Sequence, residues 1–134
     1  MKRNDPLLHG EWTEHVIRLF YRVCDRLGHG FLESVYCNAL ALELTRNGIL
    51  FEREVWMEVW YEGVRVGRFR ADFVVAKRVI VEVKATEYLT DADHKQTLNY
   101  LRSSMKEVGL MLHFGPEPKV HRHIFTNDRK TAVP

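Results

Sequence analysis

No apolar run in the sequence is long enough to span a membrane, and the opening "MKRNDPLLHGEW" holds no core of signal-peptide length. The expectation is a cytoplasmic protein that engages no membrane. Cysteine is scarce: Cys24 and Cys37 are the whole supply, without metal-type spacing and each on an apolar helical pattern. Two buried thiols in a reducing compartment fit that usage better than a zinc or redox pair. Low-complexity tracts, internal repeats and linkers are absent, so the 134 residues read as one domain with a single core. Its ends, 1–10 and 126–134, are expected to be flexible. Charge of one sign is not in excess either. The formal net charge of +2 permits a polyanionic partner without demanding one. No helix-turn-helix, zinc finger or long basic arm is present to read base sequence.

What is present is ordered. Trp12, Val16, Leu19, Phe20, Val23 and Leu27 recur at helical spacing until "GHG" at 28–30. A second helix is expected from about Leu32 to Asn47, with Gly48 ending it. The period then changes to that of strands over Phe51–Tyr61 and Val64–Val75, joined by a Glu62-Gly63 turn. "AKR" leads into a third strand from Val79. Asp91 is the expected N-cap of a third helix over Ala92–Lys106, and strands at 109–114 and 119–125 finish the chain. The order ααβββαββ predicts a mixed α+β fold of the α/β type, a central mixed sheet flanked by helices.

The third strand, "VIVEVK", carries an acid and an amine in the most apolar stretch of the chain. Glu82 and Lys84 point to one face by strand alternation. If "AKR" is a three-residue connection, Val75 faces Val79 and Asp72 falls opposite Glu82. A two-residue loop would put Val83 there instead. Facing carboxylates in an apolar setting repel each other and lose hydration, and a divalent cation between them relieves both effects. A plain charge ladder on a solvated face is the alternative. Arg68 and Arg70 share the parity of Asp72, provided Gly67 causes no bulge on their side, and could hold flanking phosphates. His121 and His123 share a face of the last strand and could do the same. As zinc ligands they lack partners.

Two helical pairs complete the pattern: Gln96 with Tyr100 at i, i+4, and Glu33 with Tyr36 at i, i+3. A helical acid, an aspartate on the second strand, "EVK" on the third and Gln-x-x-x-Tyr on the next helix together resemble the PD-(D/E)XK nuclease superfamily. The closer likeness is to its small GxxExxY-type branch, through Gly30, Glu33 and Tyr36. The resemblance covers about Glu11 to Phe125 and departs at Ala71, where the naming proline would stand before Asp72. It implies a restriction-endonuclease-like core and a nuclease that hydrolyses phosphodiester bonds with Mg²⁺ or Mn²⁺, on DNA in preference to RNA. By the same resemblance Asp72, Glu82 and the Val83 backbone carbonyl would bind the metal. Glu33 would complete a second metal position or hold a ligand water. Lys84 would orient the attacking water and stabilise developing charge, electrostatic work before general-base work. Gln96 would support the metal shell or contact phosphate, and Tyr100 and Tyr36 would contact the nucleic acid. A homodimer would suit duplex cleavage, and a partner protein could supply specificity.

Two rival readings remain: a catalytically silent module binding nucleic acid or protein through the same fold, and an assembly protein using Trp56, Trp60 and Tyr61. Strand alternation favours packing most of those aromatics inside.

Overall fold

The computed structural model describes residues 8–130, so 1–7 and 131–134 of the expected flexible ends lie outside the described residues. The elements are α1 (Gly10–Leu27), α2 (Glu33–Arg46), β1 (Phe51–Tyr61), β2 (Val64–Val75), β3 (Val79–Lys84), α3 (Asp91–Arg102), β4 (Val108–His113) and β5 (Lys119–Ile124). This is the expected ααβββαββ order. The mixed α/β architecture agrees with a restriction-endonuclease-like fold.

The apolar stripe of α1 buries Val16, Leu19, Phe20 and Val23, and Gly28 ends the helix at φ 71, a conformation that favours glycine. Tyr36, Leu40 and Leu44 of α2 join them against Val79, Val81, Val83, Leu110 and Leu112 of the sheet. On the other face α3 contributes Leu101, packed with Ile80 and Val74. Gly109 permits its close approach, since a Cβ there would sit 3.0 Å from Thr97 Cγ2. With both faces covered, β3 reads as an apolar run interrupted only by Glu82 and Lys84. α3 starts one residue earlier than Ala92. Its N-cap is Thr90, not Asp91: Thr90 and Asp93 each take the other's backbone N–H, which satisfies two orphan donors. The helix ends at Arg102, short of Lys106, where the Ser103 hydroxyl turns back onto the Asn99 carbonyl.

The sheet order is β1-β2-β3-β4-β5. β3 and β4 are parallel across α3, and the other neighbours are antiparallel. The β2–β3 register is Val75↔Val79, that of a three-residue connection, and the ladder ends at Phe73↔Val81. The rest of β2 pairs with β1 alone, as a two-stranded ribbon running past the sheet. Its bulge places one extra residue, Val66, ahead of Gly67, which leaves the spacing of Arg68, Arg70 and Asp72 intact. Phe51 and Phe73 pack on the α1/α2 side, whereas Val55, Met57, Phe69 and Ala71 pack on the α3 side. Residues of one parity therefore change sides at Glu54 and Asp72, and Glu54 holds the left-handed φ of 52 there.

After β5, Asn127–Arg129 forms a 3-10 turn where polar composition suggested fraying. The Asn127 N–H donates to the Glu107 carboxylate at 2.7 Å, and Lys130 reaches the carbonyls of Ser104 and Lys106. No helix among the described residues is long and apolar enough to cross a membrane.

Candidate active site

Where β2 leaves β3, side chains take over the ladder. The Asp72 N–H donates to the Glu82 carboxylate at 2.9 Å, and the Val83 N–H donates to the Asp72 carboxylate at 2.8 Å. Each acid thus takes a backbone donor from the opposite strand. Each also keeps one oxygen, Asp72 Oδ1 and Glu82 Oε1, outside these bonds.

Glu82 is only 4% exposed. Burial, followed by the charge of Asp72, pushes its carboxyl up to about 8, against the Asp72 N–H and Lys84, which favour the anion. Burial also raises the Asp72 pKa, opposed by the Val83 N–H, Lys84, Arg70 and Arg53. Glu33, in the first turn of α2, is raised by burial and then by Asp72, with Lys84 acting in the opposite sense. Three carboxylates therefore feel one another around Lys84.

Lys84 lies on the α3 side. Its Nζ donates to Gln96 Oε1 at 2.9 Å and sits 3.6 Å from Asp93 Oδ1. Tyr100 stacks on Phe69 with ring centroids 3.8 Å apart. Its pKa is raised by burial, then by Glu82 and Asp72, and a hydrogen bond with Gln96 works against that rise. The helix face that positions Lys84 thus runs Asp93, Gln96, Tyr100. Asp93 escaped the sequence reading, although its i, i+3 spacing to Gln96 placed it on that face.

The other expected residues divide. Arg70 acts on Asp72 but also pairs with Glu54 at 3.6 Å. Arg68 lies over the Trp56 ring at 4.2 Å, with Arg70 at 5.5 Å from the same ring. Trp56 and Tyr61 are exposed rather than packed inside, because the ribbon bearing them has only its α3 side covered. Tyr36 is fully buried, stacked on Phe114, and its hydroxyl donates to the Gly28 carbonyl and accepts from the Phe31 N–H. It braces the loop between α1 and α2 and has no surface left for nucleic acid. Cys37 is buried close to the acids, and burial first, then Asp72, pushes its thiol up to about 12. His121 and His123 gain a third imidazole that spacing could not reveal: His94 Nδ1 lies 3.4 Å from His123 Nε2, and its ring is 4.6 Å from that of His121.

Among the described residues no three His, Cys, Asp or Glu side chains converge as a metal-binding group. The donors at Asp72 and Glu82 nevertheless suit a hard divalent cation: two carboxylate oxygens not engaged by the cross-strand N–H groups, with the remaining positions left to backbone carbonyl and water.

The comparisons with known proteins agree with this frame. No curated protein matches the chain. The crystal structure of SSO0001 shares its fold, with a TM-score of 0.55 and 22% identity over 88% of this chain. The chain spans 60% of that protein's length. The model of the PD-(D/E)XK nuclease superfamily matches residues 10–124, from the start of α1 to the end of β5. With that match over most of its length, the chain belongs to the PD-(D/E)XK nuclease superfamily.

Proposed function

We propose that the chain is a divalent-metal-dependent nuclease hydrolysing phosphodiester bonds, with DNA as its first substrate. The observation that carries this reading is the opened β2–β3 ladder, where Asp72 and Glu82 stand in for backbone pairing beside Lys84. Asp72 Oδ1, Glu82 Oε1 and the Val83 carbonyl would hold Mg²⁺ or Mn²⁺. In a strand the N–H and C=O of one residue face the same neighbour. The Val83 N–H faces Asp72, while the Lys84 carbonyl is spent on Phe114 across β4. Bound there, the cation would supply an activated water and neutralise charge on the scissile phosphate.

Lys84 has three donors. Gln96 accepts from one and Asp93, at 3.6 Å, draws the ammonium by charge, which leaves protons for a phosphate oxygen or the attacking water. Gln96 and Tyr100 are positioning residues in this scheme. Glu33 would orient a water on the α2 side. Arg70 and Arg68, both over the Trp56 ring, would offer guanidinium groups to flanking phosphates. Duplex cleavage by one such site per chain would call for a second copy.

The test is cleavage of circular single-stranded DNA, plasmid duplex and structured RNA by wild type and Lys84→Ala, with EDTA, Mg²⁺ or Mn²⁺. Cutting that requires metal and is lost in the variant supports the nuclease. Folded protein that binds these substrates equally with and without metal, and cuts none, would identify a binding module instead.

A further inference from the structure

A cavity of about 490 Å³ opens between the loop after β3 and the loop joining β4 to β5. It adjoins the site on two elements. His94 follows Asp93, the ion-pair partner of Lys84, and His113 is the register partner of Lys84 on β4. His113 is 4% exposed, and its ring donates to or accepts from nothing through Nδ1, while Nε2 contacts the Thr86 carbonyl at 2.6 Å. A buried imidazole with an unused nitrogen on a cavity wall is an unusual arrangement, because buried polar atoms are normally paired.

We propose that this cavity receives an unstacked nucleobase of the substrate strand, next to the phosphate held at Lys84. The charges of the wall argue for a base and against a phosphate. Glu87 and Glu117 bring two carboxylates against the single ammonium of Lys119, which already pairs with Glu117 at 3.6 Å. An anion would meet repulsion there. Burial, then His94, Lys119 and His113, lower the His121 pKa from the ordinary imidazole value, which favours its neutral ring. A neutral imidazole donates at one nitrogen and accepts at the other, as base edges do. Tyr88, 78% exposed at the rim, offers a flat face on which any base can stack. Unpaired or single-stranded DNA is then the substrate class, since a base within a duplex must first leave its stack.

The inference rests on the nuclease reading for the identity of the bound strand, but its test requires no cleavage. The metal-free full chain, in EDTA, is titrated with deoxynucleoside 5′-monophosphates and, separately, with 2-deoxyribose 5-phosphate, while the histidine ring resonances are followed by NMR. Nucleotides should shift His94, His113 and His121, and the sugar phosphate should not. Tyr88→Ala, at an exposed position, should weaken nucleotide binding about tenfold, the order that stacking of one base supplies, and His121→Ala should weaken it as well. Equal shifts with the sugar phosphate would mean a phosphate site. No shifts at millimolar nucleotide, or variants that bind as wild type does, would also overturn the proposal. Nucleotide binding without any metal-dependent cleavage would sink the nuclease reading and leave the base cavity standing. Cleavage without nucleotide binding would do the reverse.

Discussion

Asp72 and Glu82 face each other at the point where β2 leaves β3, and the backbone N–H of the first is held by the carboxylate of the second at 2.9 Å. The strand pair is thus closed by acids where its own hydrogen bonds stop. Two consequences follow from this placement. The acids are held by rigid elements, and their charges have little water to screen them.

Mn²⁺ should stabilise the folded chain, because an ion bound to the native state alone raises the apparent stability by mass action. At a hundredfold excess over Kd the gain is about 2.7 kcal/mol. Asp72→Asn should remove most of the resulting shift in Tm, measured by thermal unfolding with and without the ion. An unchanged shift would take Asp72 out of the site.

Metal-free protein should lose stability as pH rises from 5 to 8. The Glu82 carboxyl is raised from 4.5 to about 8 in the folded chain, so between those values the native state holds the proton more tightly than the unfolded state. Its contribution is fully present below about 4.5 and is lost as pH climbs through about 8. Urea unfolding in EDTA at several pH values reads this directly. Glu82→Gln should flatten that dependence, and a profile as steep as wild type would mean that another group governs it.

Lys84→Ala should lower single-turnover cleavage by about 10²–10³, the usual consequence of losing one aligned charge donor. Gln96→Ala should cost less, since Asp93 still holds the ammonium at 3.6 Å. Both variants should keep the Mn²⁺-induced shift in Tm, as neither side chain donates an oxygen to the proposed metal position. A larger loss in Gln96→Ala than in Lys84→Ala would reverse the assigned roles.

Tyr36→Phe should destabilise the fold by about 1–3 kcal/mol, because the Gly28 carbonyl and Phe31 N–H lose their common partner. Binding of nucleic acid by the folded fraction should be unchanged. Weakened binding at full stability would restore Tyr36 to the interface from which its burial removes it.

Much of this protein was legible before any coordinates. Periodicity and turn residues placed the helices and strands, the ends of α3 apart, and the length of "AKR" made Asp72 opposite Glu82 a consequence of one assumption about a loop. Glu82 and Lys84 stood out because charge is seldom placed in so apolar a strand. Local pattern could not say that the ladder ends at Phe73↔Val81, so that carboxylates replace carbonyls as acceptors. Nor could it bury Tyr36 under Phe114 or expose Trp56 on an uncovered ribbon face. The gathering of Asp93 on Lys84, and of His94 with His121 and His123, joins residues on different elements. Those contacts depend on how closely α3 lies over β4 and β5, which Gly109 permits and side-chain packing decides. Spacing within an element determines which way a side chain faces; only the packing of elements determines what it meets.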